Sequence, residues 1–308
     1  LPLLVLTIVL LRAEHAILGR RGYSVVSGKQ GNPRLVRLGW FKWVALALVF
    51  LILLCPIFLP YAALFNAAFS RVASQFIWFD NFTFHNIDFV FFQLSATQLA
   101  VKNTFILGIL SATIGTLLAV VISYMTSRKA IAGHRALGFL ATAPIAIPGI
   151  VLGVGLFLSY ARPPFLLYGT LWILLIAFVT IALPTAYQQM QSAFRSVHAD
   201  LEDASRILGA SRLRALRDIT APLLRTSVIA TWCFIFVGVM RELSAAIILF
   251  TSETKVISVL IFDLKESGDL GAIAVLGIAM LLITFAVVIA VNRVPGLGVA
   301  QRLRNPAA

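Results

Sequence analysis

Six stretches of this chain are each long and apolar enough to cross a lipid bilayer: 43–65, 103–125, 136–158, 169–187, 226–250 and 271–292. A spanning helix needs about 20 mostly apolar residues to cross about 30 Å of hydrocarbon. Within that hydrocarbon every backbone polar group must be paired, which restricts the chain to helices or a closed barrel. Runs of this length predict an all-α integral membrane fold of about six transmembrane helices. The first eleven residues, LPLLVLTIVLL up to Arg12, read as the end of a further, truncated span. No basic stretch precedes them, so they do not read as a signal peptide. Composition agrees: 60% of the 308 residues are hydrophobic and 12% charged, against about 45–50% and about 25% in soluble domains. A water-soluble enzyme is excluded, because so much apolar side chain must face lipid. Cys55 and Cys233 both lie in apolar runs and read as small hydrophobes, not as a disulfide.

The net charge of +13 would suggest nucleic acid in a soluble protein, but its placement gives it another meaning. Alternate segments 12–42, 127–135, 188–225 and the tail from Arg293 hold seven, three, six and three basic residues. The opposite side holds five, Arg71, Lys102, Arg162, Lys255 and Lys265, and Arg241 lies within the fifth stretch. Cytoplasmic loops carry the Lys/Arg excess, so the 188–225 loop and the C-terminus are expected in the cytoplasm. The charge is topogenic, and no nucleic-acid partner is expected. On the other side, 66–102 carries Phe76, Trp78, Phe79, Phe82, Phe84, Phe89, Phe91 and Phe92. It reads either as an interfacial aromatic belt or as a docking surface for an external partner. Segment 251–270 sets Val256, Val259, Leu260 and Leu264 on one helical face. That pattern fits an amphipathic helix on the outer surface or one packed against neighbouring spans.

The 188–225 loop has the clearest punctuation. Asp200 is placed to cap a short helix, with Glu202 and Asp203 in the first turn where the helix dipole favours acids. Leu201, Ala204, Ile207 and Leu208 share a face, and Gly209 ends the run at a position suited to left-handed backbone. Ser211 is placed to cap a second helix, which carries Leu213, Leu216 and Ile219 and is expected to break at Pro222. A helix, a glycine turn and a second helix feeding directly into a span form an element shaped to be gripped.

Asp203, Ala204 and Ser205, three further residues, Gly209, nine residues, then Ile219, Thr220, Ala221 and Pro222 resemble a known signature. It is that of the membrane permease subunits of binding-protein-dependent ATP-binding-cassette importers: Glu-Ala-Ala, three residues, Gly, nine residues, Ile, one residue, Leu-Pro. The spacing is kept, with Asp for Glu, Ser for the second Ala and Ala for Leu; the adjacent Glu202 is a second candidate for the acidic position. The resemblance implies that this loop is the coupling helix held by an ATPase subunit, through Glu202, Asp203, Ala204, Ser205, Gly209, Ile219 and Pro222. It further implies an external (periplasmic) substrate-binding protein, a second permease half or a homodimer, and a bacterial inner-membrane location. Gly22, Tyr23, Ser27, Gly28, Lys29, Pro33, Arg34, Leu38 and Gly39 look like the linker between halves of fused ferric iron permeases. The runs Ala143–Leu156 and Arg241–Leu249 look like the second half of such proteins. Ferric iron is the implied cargo, with thiamine, phosphonate and polyamine permeases sharing parts of these runs. The implied organisation is 1–42 as span end and linker, 43–292 as the transmembrane domain and 293–308 as a basic cytoplasmic tail.

Two places within spans are pathway candidates. Pro148 and Gly149, with Pro144, Gly153 and Gly155, point to a kink beside a translocation path or to close packing through small residues. Arg241 and Glu242 are an ionisable pair inside an apolar stretch, where charge is expensive. They line or gate a pathway, or the helix breaks near Arg241 and both sit near the outer interface in a structural role. His15, His85, His134 and His198 are scattered, and no catalytic triad, metal site or phosphate-binding glycine loop is expected. ATP hydrolysis is therefore assigned to another subunit, and this chain is expected to have no enzymatic activity and no cofactor. A secondary transporter would carry more intramembrane charge or paired broken helices; an integral membrane enzyme would need a reactive constellation.

Overall fold

The computed structural model describes residues 38–72, 75 and 80–293. The linker residues up to Arg37, the aromatic residues Phe76, Trp78 and Phe79, and the tail beyond Arg293 lie outside the described residues. Five helices are long and apolar enough to cross a membrane: Phe41–Phe69, Ser95–Ser127, Leu171–Ser196, Arg212–Met240 and Leu270–Val291. A bent pair, His134–Ala146 and Gly149–Tyr160, makes up to a sixth. Among the described residues no sheet forms, and an antiparallel bridge joins Ser70 to Phe82. The all-α membrane class expected from the apolar runs is what the chain adopts.

The chain divides into two units at Leu54. Within the first, α1 (Phe41–Leu53) has no buried residue, and Trp43, Leu46 and Leu51 are open. Such a surface belongs in lipid.

The second unit contains the rest: α2 (Leu59–Phe69), α3 (His85–Asp88), α4 (Ser95–Ser127), α5 (His134–Thr142), α6 (Gly149–Tyr160), α7 (Leu171–Ser196), α8 (Asp200–Ile207), α9 (Arg212–Ala215), α10 (Ala221–Met240), α11 (Ala246–Leu249), α12 (Ile257–Ser267) and α13 (Leu270–Arg293). Its core lies where α4, α7 and α10 meet, around Leu107, Phe178, Met190, Ile235 and Phe236. Lipid tails are as apolar as leucine, so helices in a bilayer associate chiefly by close packing through small residues. Here α4 turns inward a face of Ala100, Gly108, Ala112, Gly115, Ala119 and Ser123. A Cβ on Gly108 would stand 2.9 Å from the Phe236 ring, and one on Gly115 would stand 3.1 Å from Ile235 Cδ1.

Two of the expected spans are broken. The stretch 136–158 is not one helix: α5 and α6 meet at 106°. Ile147, pushed out of the helical region by the following proline, has φ −102° and ψ 117°, and Pro148 at ψ 138° starts the new helix. The stretch 226–250 is interrupted as well, because α10 ends at Met240 and the short α11 begins at Ala246. Glu242 Oε1 accepts from the Ala245 N–H at 3.2 Å, so the carboxylate supports the start of a new turn and does not continue the old one.

The 251–270 segment packs inward: Ile257, Val259, Leu260 and Leu264 of α12 are buried. Buried Asn103 of α4 donates to the Glu253 and Lys255 carbonyls, both at 3.0 Å. Thr104 Oγ1 accepts from the Ile257 N–H at 2.9 Å. In the aromatic segment, Phe69, Phe82 and Phe84 form a ring cluster with centroids 5.0–5.9 Å apart. Nearby, the Asn86 amide donates to the Ala67, Ala68 and Ser70 carbonyls, closing the C-terminus of α2.

Candidate functional site: an anchored helix–glycine–helix loop

The 188–225 loop folds into α8, a glycine turn and α9, as its punctuation implies. Gly209 has φ +93°, a left-handed conformation that glycine adopts without cost. Ser211 Oγ accepts from the Arg214 N–H at 3.3 Å and caps α9. Two local expectations are corrected. Ala199, not Asp200, is the N-cap of α8; its backbone is already helical, so Asp200 falls within the first turn with Glu202 and Asp203. Pro222 does not break the second helix, because Arg212–Met240 runs as 29 residues. A π-turn over Leu216–Thr220 precedes Pro222, which sits in the first turn of α10. The wider turn absorbs the proline, whose ring and missing N–H disrupt a regular helix.

The two neighbouring acids point differently. Glu202 is buried, and three donors converge on its Oε1: Arg128 Nη2 at 2.9 Å, Arg128 Nε at 3.0 Å and Thr220 Oγ1 at 2.7 Å. Arg128 Nη2 also donates to the Val197 carbonyl at 3.1 Å. The ion pair therefore fastens α8 to the end of α4, to the end of α7 and to the π-turn ahead of α10. Asp203 faces solvent and pairs with Arg206 at 3.3 Å. Ala204 is exposed, Ser205 and Ile219 are half-buried, and Pro222 is exposed. Opposite the anchor, Leu201 and Leu213 are open, and Ile207 and Leu208 are 86% and 89% exposed. A helix held rigidly by one buried acid thus presents an uncovered apolar surface on its other side. Arg128 and Thr220 were not singled out by the sequence: Arg128 lies 74 residues before Glu202 and registers there only as one basic loop residue.

The second candidate region gathers three of its four residues. Gly149, at the start of α6, lies against the loop after α10: a Cβ there would stand 3.0 Å from Ser244 Cβ and 3.5 Å from Glu242 Oε1. Pro148 precedes it at the bend. Arg241 and Glu242 line a cavity of about 310 Å³ with Phe178, Ala182, Thr185 and Gly238. Glu242 is engaged with the Ala245 N–H, and its carbonyl accepts from buried Ser258 at 2.8 Å. Arg241 makes no ion pair among the described residues. No group of three or more metal-binding side chains occurs among the described residues.

An all-helical bundle with several helices long and apolar enough to cross a membrane, one of them broken, places the chain in the class of multi-pass membrane proteins. The chain belongs to the family described as binding-protein-dependent transport system inner membrane component, which it matches over residues 111–296. Among its relatives is the ferric transport system permease protein FbpB of Actinobacillus pleuropneumoniae, 26% identical over 293 residues, covering 93% of this chain and 42% of that protein. Another is the putative 2-aminoethylphosphonate transport system permease protein PhnV of Salmonella paratyphi A, 28% identical over 151 residues, or 49% of this chain and 57% of that one. The chain therefore spans about half the length of these relatives. The fold is similar to a chain of a bacterial alginate ABC transporter, with TM-score 0.64, 20% identity and coverage of 82% of this chain and 93% of that chain. It is also similar to a chain of the MetNI methionine ABC transporter, with TM-score 0.54, 14% identity and coverage of 64% and 91%.

Proposed function

We propose that this chain is the permease component of an ATP-driven, binding-protein-dependent importer in the bacterial inner membrane, and that its cargo is ferric iron. The observation that carries the first statement is the 199–222 loop, fastened from inside by Glu202 and bare outside at Leu201, Ile207, Leu208 and Leu213. In the proposed mechanism that apolar surface seats in a cleft of a separate ATPase subunit, with exposed Asp203 at its edge. Glu202, Arg128 and Thr220 then transmit displacement of α8 to α4 and α10, whose packed core makes them move as units. The basic-residue count supports a cytoplasmic placement of this loop and of the C-terminus. Residues 43–292 form the transmembrane domain in this reading, with a second permease half completing the path and an external binding protein delivering cargo. Pro148, Gly149, Arg241 and Glu242 gate or line that path at the junction of two broken helices, where non-helical backbone needs a water-lined or protein-lined setting. ATP is hydrolysed by the partner, and this chain catalyses no reaction.

Ferric iron is favoured because similarity to the ferric permease extends over 93% of the chain, against 49% for the 2-aminoethylphosphonate permease. The test is uptake of radiolabelled ferric iron and of 2-aminoethylphosphonate by host cells with and without the gene. Loss of iron uptake alone supports the assignment; loss of phosphonate uptake alone reassigns the cargo.

A further inference from the structure

A second cavity of about 310 Å³ lies where the C-terminus of α4 meets the loop, lined by Ser127, Arg128, Lys129, Arg206 and Arg212 together with Glu202 and Asp203. Its charges do not balance. Glu202 is spent on Arg128 and Asp203 on Arg206. Lys129 and Arg212 form no ion pair among the described residues. Two positive charges therefore face the cavity without compensation, and the Ser127 hydroxyl beside them is buried with no hydrogen-bond partner among the described residues.

The backbone at Lys129 adds an independent sign. The end of α4 is a Schellman turn: the Ala130 N–H donates to the Met125 carbonyl at 3.0 Å and the Lys129 N–H to the Thr126 carbonyl at 3.4 Å. The left-handed position of that turn is ordinarily glycine. Here it is Lys129 at φ 48°, a conformation unfavourable for a residue with a Cβ. Lys129 is the one non-glycine residue with positive φ among the described residues. Strain of this kind persists at places where a side chain is held for use.

We propose that this cavity binds a phosphate group, held by Lys129 and Arg212. A guanidinium and an ammonium converging on one cavity suit a tetrahedral anion. The site also lies at the C-terminal end of a candidate membrane-spanning helix, and basic pockets at the ends of such helices can recognise anionic headgroups. The same chemistry is offered by free phosphate, and the experiment separates the two. The proposal does not depend on the transport reading, and a failure of iron uptake leaves it intact.

The test uses the full chain in nanodiscs of phosphatidylcholine, of phosphatidylcholine with phosphatidylglycerol, and of phosphatidylcholine with added inorganic phosphate. Thermal unfolding and native mass spectrometry of retained lipid are the readouts. The variants are Lys129→Gly, which relieves the backbone strain and keeps the turn, and Arg212→Gln; Arg217→Gln, exposed and outside the cavity, is the control. Expected is a rise in Tm and retained phosphatidylglycerol for the wild type and the control. Apparent affinity should fall about tenfold in each cavity variant, the loss expected for one hydrogen bond to a charged group. Stabilisation by inorganic phosphate without phosphatidylglycerol, lost in both variants, assigns the same site to free phosphate. Equal responses in wild type and cavity variants, or no response to either phosphate source, overturn the proposal. So does loss of a co-purifying ATPase from the variants with lipid retention unchanged, which would make the cavity a protein contact.

Discussion

Glu202→Gln isolates the charge of the anchor while keeping its shape. In the wild type, Arg128 and Glu202 have side chains only 12% and 9% exposed, and both Arg128 contacts, with that from Thr220, converge on one oxygen. Removing one partner of a buried ion pair typically costs about 3–5 kcal/mol, because the other charge is left uncompensated. Glutamine retains a carbonyl acceptor for the same donors and Arg128 keeps the Val197 carbonyl, so about 2 kcal/mol is the expected loss here. The loss falls on opening of the loop, since the core around Phe178, Phe236 and Met190 does not involve either residue. Two kcal/mol corresponds to about a 30-fold larger open population. Hydrogen exchange reads it at the amides of Leu208, Gly209 and Ala210, which donate to the Ala204, Arg206 and Ser205 carbonyls. These amides should exchange about 30-fold faster, with α4 and α7 unchanged. Pairing Glu202→Gln with Arg128→Met removes the stranded charge and should recover most of the protection. Unchanged exchange in Glu202→Gln, or no recovery in the double variant, would refute the anchor.

Other substitutions probe the remaining features. Gly209→Ala forces a Cβ into left-handed backbone at φ +93° with open space around it; it should weaken the turn by about 1–2 kcal/mol and lower uptake while membrane insertion, followed by protease protection, stays normal. Gly149→Val should close the contact with Ser244 and Glu242, where a Cβ already stands 3.0 Å from Ser244 Cβ, and reduce uptake more than Gly155→Val, which has nothing within 4 Å. Gly271→Ala would set a Cβ 2.7 Å from Asn86 Cγ and displace the amide that closes α2; a lower Tm is expected, and an unchanged Tm would show that Asn86 is dispensable.

Much of this architecture is legible in the residue order. Apolar length locates the helices, and Gly209, Ser211 and the acids of the first turn locate the loop, because these signals act within a few residues. What escapes is set by distance or by competition between local rules. Arg128, Thr220 and Asn103 act on partners far along the chain, so nothing adjacent to them reveals the contact. Pro148 and Pro222 carry the same local signal and have opposite outcomes. Pro148 bends the chain by 106°, whereas Pro222 follows a π-turn and the helix continues. Glu202 and Asp203 are one residue apart, yet only the helix register separates the buried anchor from the exposed acid. The Arg241–Glu242 pair lies at a helix break, where Glu242 accepts from the Ala245 N–H.

The central claim is that the apolar face of α8 is the seat of an ATPase subunit. It is tested most directly by capturing the chain from mildly solubilised native membranes and measuring the ATP-binding-cassette subunit that accompanies it, for wild type and for Leu208→Asp. Leu208 is 89% exposed, so the substitution leaves the fold intact while placing a charge on the contact. The account predicts an ATPase recovered with the wild type and lost from Leu208→Asp, with Glu202→Gln intermediate. Equal recovery with both chains, or an ATPase absent from the wild type in several mild detergents, would contradict it.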